Sequence, residues 1–259
     1  MITVMGATGN VGRPLVEALT AAGEEVRAVS RKGPFPGDVS DAASLRPAFE
    51  GATAVFLLLP PGFHGPVSPI LASADGARVV LLSSQGVGTG RHPSFFEDEV
   101  RGSSLPWTIL RPSGFASNAL QWAESVRTSR VLSAPFGDVG LPVIDPADIA
   151  EVAAATLLSP LHTGRTYELT GPALVSPRDQ AAAIGTALGE PVRFTPQTRP
   201  EALASFQNFM PPEVAEATLD ILGSPTRAEQ RVSPDVAQIL GRPARPFADW
   251  AARNAVAFK

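Results

Sequence analysis

Residues 6–12 of this 259-residue chain read Gly-Ala-Thr-Gly-Asn-Val-Gly, with a glycine at every third position. Glycines so spaced let a chain turn tightly at Gly6, bring its backbone against a phosphate at Gly9 and pack the next helix closely at Gly12. An apolar run over residues 2–5 comes before them, and Val11, Leu15 and Leu19 follow at helical spacing. A helix begun near Asn10 turns unpaired N–H groups and the positive end of its dipole toward that turn. Strand, glycine turn and helix together predict a cradle for a dinucleotide pyrophosphate rather than an ordinary βα turn.

The next apolar run, 26–29, ends in Ser30-Arg31-Lys32. In such domains an acidic residue about 20 positions past the glycines grips the ribose 2′-hydroxyl of NAD. A hydroxyl and two cations stand there instead. They suit the 2′-phosphate of NADP, onto which Arg31 can fork two hydrogen bonds. NADP(H) is therefore expected in preference to NAD(H).

These groups need elements to hold them. Apolar runs recur at 2–5, 26–29, 55–59, 79–82, 108–110 and 167–169, with helical or loop intervals between. Continuous apolar strands signal a parallel sheet covered on both faces, and the strand–helix order predicts a doubly wound α/β Rossmann domain. Ligands of such sheets bind beyond the carboxyl ends of the strands, so residues 6–12, 30–32, 60–64, 83–88 and 111–115 should converge on one crevice. Only residues 31–37 separate Ser30 from Asp38, too few for a helical crossover. A vestigial third strand near Asp38-Val39 is expected, then a helix over 42–49 capped by Asp41. A brief helix is expected at 70–74. Asp145-Pro146-Ala147-Asp148, Ser176-Pro177-Arg178-Asp179 and Ser233-Pro234-Asp235 read as helix starts. The expected division is residues 1–172 as the dinucleotide domain, with 113–145 partly contributing to a substrate pocket, and 173–259 as a smaller, mainly helical substrate lobe. That lobe holds one strand at 192–195, and Phe194, Phe206, Phe209 and Met210 either wall an apolar pocket or form simple core.

Composition narrows the function. Zero cysteines remove thiolate catalysis, disulfides and cysteine-ligated zinc, and three scattered histidines show no metal spacing. His64 stands apart by its place after Pro60-Pro61-Gly62-Phe63, at the end of a strand expected to reach the cofactor. A net charge of −4 without long basic runs argues against nucleic acid. No apolar stretch is long enough for a membrane span, and no charged leader precedes the first strand, so a cytoplasmic protein is expected. The expected partners are a small-molecule acceptor and, at most, a second copy in a homodimer.

The glycine loop, Ser30-Arg31, Gly37-Asp38-Val39-Ser40-Asp41, Leu81-Leu82-Ser83-Ser84, Leu105 to Pro112, residues 145–150 and Tyr167-Glu168-Leu169-Thr170-Gly171-Pro172 together resemble the NmrA-like, atypical branch of the short-chain dehydrogenase/reductases. The resemblance spans roughly residues 1–195. It implies an NAD(P)-binding Rossmann domain with a small substrate lobe. It places Gly6, Thr8, Gly9, Asn10, Val11 and Gly12 on the pyrophosphate and Arg31 on the 2′-phosphate. Asp38 falls beside adenine, Leu59 and Pro60 by the ribose, and Ser83, Ser84 and Pro112 near the nicotinamide. Family members include quinone and azo reductases, plant phenylpropanoid reductases and non-catalytic redox sensors.

Two departures stand out. The usual Tyr-x-x-x-Lys acid is absent, since the single tyrosine, Tyr167, has no lysine four residues on. The place where many relatives keep another lysine aligns with Asp98, flanked by Glu97 and Glu99. The expectation is an NADPH-dependent reductase of a strong hydride acceptor such as a quinone, azo compound or enone, which needs little acid catalysis. Ser84 or His64 is the expected proton donor, although Ser83 and Ser84 equally suit backbone capping. The alternatives are a non-catalytic NADP(H) sensor and a tailoring reductase or isomerase of secondary metabolism.

Overall fold

The computed structural model describes residues 1–31 and 33–259, so Lys32 and the phosphate role expected of it lie outside the described residues. The chain runs β1 (Ile2–Met5), α1 (Gly12–Ala21), β2 (Val26–Ser30), β3 (Phe35–Pro36), α2 (Ala42–Phe49), β4 (Ala54–Leu58), α3 (Ser68–Ser73), β5 (Arg78–Leu82), α4 (Gln85–Gly88), α5 (Phe95–Gly102) and β6 (Trp107–Pro112). It continues through α6 (Ala123–Ser129), β7 (Val131–Ala134), α7 (Pro146–Leu158), β8 (Arg165–Leu169), α8 (Pro177–Leu188) and β9 (Arg193–Pro196). Last come α9 (Arg199–Phe206), α10 (Pro212–Gly223), α11 (Asp235–Leu240) and α12 (Phe247–Arg253).

Two compact units share this chain. The first takes Met1–Pro112, Pro146–Leu169 and Asp235–Arg242; the second takes Ser113–Asp145, Thr170–Pro234 and Pro243–Lys259. The first unit holds a seven-stranded, all-parallel sheet in the order β3-β2-β1-β4-β5-β6-β8. This is the doubly wound α/β architecture. The chain leaves β1 toward β2 and β3, then returns to place β4 on the other side, so the topological switch point falls beside β1.

Side chains alternate across each strand. Val55, Leu57, Val79, Leu81 and Ile109 enter one core cluster with Leu45 and Phe49 of α2, Ile70 and Leu71 of α3 and Val100 of α5. Phe56 and Leu110, wholly buried, point the other way, and α1 and α7 pack against each other over that face. Arg242 clamps α7 by ion pairs to Asp148, which has no exposed surface, and to Glu151.

The third strand is vestigial but sits at Phe35–Pro36, not at Asp38-Val39. Gly33 N–H reaches Ser30 O at 3.4 Å, which turns the chain at once and sets Val29 opposite Phe35. Asp38 is occupied instead with the start of α2: its N–H donates to Ser44 Oγ at 3.0 Å and its carboxylate accepts from Ser40 N–H at 2.8 Å. Asp41 caps α2 as expected, accepting from Ala43 N–H. The helix α1 begins at Gly12, two residues later than Asn10, and α3 begins at Ser68, two residues before the expected Ile70.

In the second unit β7 and β9 form a two-stranded parallel sheet. The sequence pattern missed β7 and placed β9 one residue early. Phe247, Trp250 and Phe258 build the core, with ring centroids 5.4 and 6.3 Å apart. Phe194 packs against this core under the Arg178 guanidinium, 4.6 Å from its ring centroid. Phe209 is 65% exposed. Ser176 and Asp179 form a reciprocal capping box at the start of α8. No helix among the described residues is long and apolar enough to cross a membrane.

Candidate dinucleotide and hydride-transfer site

The seven residues between β1 and α1 are built around close backbone approaches. Gly6 has φ +65°. Gly9 N–H donates to Gly6 O at 2.9 Å, tightening the turn. A Cβ on Gly12 would lie 2.1 Å from Gly6 O, so no side chain is admissible there. Thr8, Gly9 and Asn10 are exposed, whereas Val11 is buried, so its side chain belongs to the core and only its backbone faces the turn.

The start of α1 has no side-chain cap. The N–H groups of Val11 and Gly12 have no acceptor among the described residues. A helix start normally satisfies such donors with a side chain, water or a ligand. Here glycines clear the space in front of them, at the switch point of the sheet. The residues present fit a pyrophosphate there.

At the end of β2, Arg31 is exposed and makes no hydrogen bond among the described residues. Its charge reaches Asp38, whose carboxyl is held below its ordinary value first by the Ser40 hydrogen bonds and further by Arg31. Leu59 and Pro60 follow β4, and Phe63 N–H closes a turn onto Pro60 O at 3.1 Å. Phe63 stacks toward Phe96, 5.7 Å between centroids, while His64 stays exposed.

After β5 the design is different. Ser83 Oγ donates to Glu97 at 2.5 Å. Glu97, with 1% of its side chain exposed, also receives Arg111 Nε at 2.9 Å, Arg111 Nη2 at 2.6 Å and Arg101 Nη2 at 2.8 Å. Burial alone would raise this carboxyl; the hydrogen bonds from Arg111 and Ser83, with the charges of Arg111 and Arg101, outweigh it and hold Glu97 below the usual carboxylate value. The Arg111 guanidinium is raised by the same pairing. Since the Ser83 proton points at a carboxylate, its oxygen offers lone pairs outward and accepts rather than donates.

Ser84 Oγ accepts from Gly86 N–H at 3.0 Å and so caps α4, and its own proton has no acceptor among the described residues. Gln85, 8% exposed, has a buried Nε2 with no hydrogen-bond partner among the described residues. Pro112 closes β6 opposite Leu169, buried.

Sequence reasoning placed weight on Asp98, but that side chain is 62% exposed and bound to Ser94 Oγ at 2.6 Å. Glu97 is the buried acid, and an arginine in an apolar strand, Arg111, was the signal that a buried carboxylate would be needed to pair with it. Tyr167 is paired with His162 Nδ1 at 2.9 Å, and burial raises the phenol and lowers the imidazole. His162 precedes β8, at the opposite end of the strand from the glycine loop. An open depression of about 450 Å³ beside α3 is elsewhere again, walled by Ser68, Leu71, Asp75 and Leu105. Among the described residues no group of histidines and carboxylates forms a metal site.

This constellation defines a dinucleotide-dependent Rossmann oxidoreductase, and residues 6–160 match the NAD(P)H-binding family, to which the chain belongs. Among curated relatives it is 37% identical to the (4-alkanoyl-5-oxo-2,5-dihydrofuran-3-yl)methyl phosphate reductase of Streptomyces griseus, over 100% of this chain and 99% of that protein. It is 30% identical to the NAD(P)H azoreductase of Xenophilus azovorans, with the same coverage. Among solved structures, the NADPH-dependent quinone oxidoreductase of Escherichia coli in complex with NADPH superposes with a TM-score of 0.81 at 21% identity, covering 98% of this chain and 99% of that one. That likeness is one of fold.

Proposed function

We propose that the chain is an NADPH-dependent reductase that delivers hydride to a carbon–carbon double bond activated by conjugated carbonyl groups. The observation that carries this reading is full-length similarity, at 37% identity, to a reductase whose named substrate has a ring double bond conjugated with both a lactone and an acyl carbonyl. Azo compounds and quinones share the relevant property: the charge left by hydride delocalises over the acceptor.

The preference for NADPH rests on Arg31, an exposed guanidinium with no hydrogen-bonded partner among the described residues, at the end of β2, where a ribose phosphate is expected. Gly6, Gly9 and Gly12 shape the pyrophosphate cradle, and the free N–H groups of Val11 and Gly12 bind it. Bound nicotinamide supplies the hydride. Ser83 Oγ, turned acceptor by Glu97, suits the amide N–H of a carboxamide. The chain lacks a Tyr-x-x-x-Lys pair, as its single tyrosine is followed four residues later by Gly171. Reduction then relies on positioning and on an acceptor that stabilises its own charge.

The test is loss of NADPH absorbance with purified protein and three acceptors: a 2-acyl butenolide, an azo dye and a simple quinone, with NADH in parallel. Protein-dependent oxidation, weaker with NADH and abolished in Gly9→Asp, is the expected result. Tight NADPH binding without oxidation of any acceptor defeats the reductase and leaves the sensor, the reading that the absent tyrosine–lysine pair favours.

A further inference from the structure

Reduction of a conjugated double bond needs a proton as well as a hydride, and neither Tyr167 nor Ser83 is placed to give one. Tyr167 is engaged with His162, and the Ser83 hydroxyl is spent on Glu97. Ser84 has a free proton, but an alcohol is a weak acid and has to be resupplied. We propose that His92 is the proton donor, a role that rests on the reductase reading above.

His92 is exposed and lies four residues beyond the end of α4 in sequence, yet the chain reverses to bring it back. Arg91 N–H and His92 N–H both donate to Gly86 O, at 2.8 and 3.0 Å. The imidazole then covers Gly86 itself. A Cβ on that glycine would lie 2.5 Å from Nδ1, 2.7 Å from Cε1 and 2.8 Å from Cγ, so the ring occupies the space a side chain would need.

Gly86 is also the residue whose N–H is held by Ser84 Oγ. The ring is thus seated on the turn at the carboxyl end of β5, the end where ligands of parallel sheets bind. Its exposure keeps it in exchange with water. His64 lacks such a seat: it is exposed, with no hydrogen bond or ring contact among the described residues.

Imidazole is the side chain suited to giving and regaining a proton near neutral pH. In the proposed step, hydride adds to the β-carbon of the double bond and the π pair moves onto the carbonyl oxygen as an enolate. The imidazolium N–H proton then passes to the enolate, directly or through the Ser84 hydroxyl. Neutral imidazole is reprotonated by solvent, and the two electrons of the hydride would be supplied by a bound NADPH.

The test compares wild type, His92→Ala and Gly86→Ala in turnover of the 2-acyl butenolide and in NADPH affinity by fluorescence titration. His92→Ala is expected to lose roughly 100- to 10,000-fold in kcat, with NADPH affinity unchanged, and to recover activity when free imidazole is added. Gly86→Ala, which pushes the ring away while leaving it in the chain, is expected to lose activity similarly, and the double variant to be no slower than His92→Ala. A His92→Ala enzyme as fast as wild type overturns the proposal, as does a loss that imidazole leaves unchanged. A wild-type protein that reduces no acceptor overturns the reductase reading and the proton donor with it; turnover with an unaffected variant overturns the donor alone.

Discussion

The loops after β1 and β5 stand at the same end of one sheet and solve opposite problems. The first is stripped of side chains. Its glycines approach one another so closely that Gly12 admits no Cβ, and the N–H donors of Val11 and Gly12 have no acceptor among the described residues. The second is dense with side chains that satisfy each other: Ser83, Arg101 and Arg111 on Glu97, and Ser84 on Gly86. Backbone donors bind an anion of fixed geometry without choosing among substrates. Fixed side chains instead define which atom donates and which accepts.

The contrast can be broken most forcefully at Glu97. Glu97→Leu leaves two guanidinium groups without their carboxylate and is expected to destabilise the protein by about 3–5 kcal/mol, read by urea unfolding, while NADPH still binds the folded fraction. Acid should do the same by degrees. Because the folded Glu97 carboxyl lies below its ordinary value of 4.5, its contribution is fully present above that pH and is lost as pH falls through the depressed value. The stability gap between wild type and Glu97→Gln should therefore narrow on acidification; a constant gap down to pH 3 would contradict the pairing.

Gly12→Ala strikes the other loop. Overpacking against Gly6 O should cost about 3 kcal/mol and abolish NADPH binding in a titration, leaving the Ser83–Glu97 network intact. A smaller and more selective effect is expected from Arg31→Ala: loss of charge-assisted hydrogen bonds worth about 1.5–3 kcal/mol should raise the NADPH dissociation constant roughly 10- to 100-fold and leave NADH binding unaltered. Equal weakening of both coenzymes would show that Arg31 does not meet the phosphate. The smallest change is Gln85→Leu, which replaces a buried, unpartnered amide and should raise the melting temperature by about 2–4 °C.

The two loops also differ in how far they can be read from sequence. Gly6, Gly9 and Gly12 act within seven residues, and their meaning is carried by what glycine lacks. The Glu97 network joins residues 14 positions apart on either side of Glu97, which only the pairing of β5 with β6 and the packing of α5 bring together. Along a helix one residue turns the side chain by about 100°, so aligning the missing lysine with Asp98 pointed to solvent while its neighbour faced the core. β7 escaped notice because Val131-Leu132-Ser133-Ala134 is short and follows Arg130, which ends α6 in a left-handed conformation at φ +52°. The vestigial β3 was anticipated from the short connection, but its register was fixed by the Ser30–Gly33 turn, a backbone contact that composition does not encode.

The chain passes between its two units five times, and the last sheet strand, β8, comes after the second unit has already been entered once. During synthesis β6 therefore waits as an open edge, with unpaired backbone groups, until residues 165–169 leave the ribosome. An exposed edge of that kind recruits other strands. Any truncation before residue 169 fixes that state permanently, so shortened forms should aggregate rather than fold as a smaller dinucleotide-binding protein. Neither unit can be excised as one continuous piece, and shuffling this fold between proteins means exchanging the chain whole.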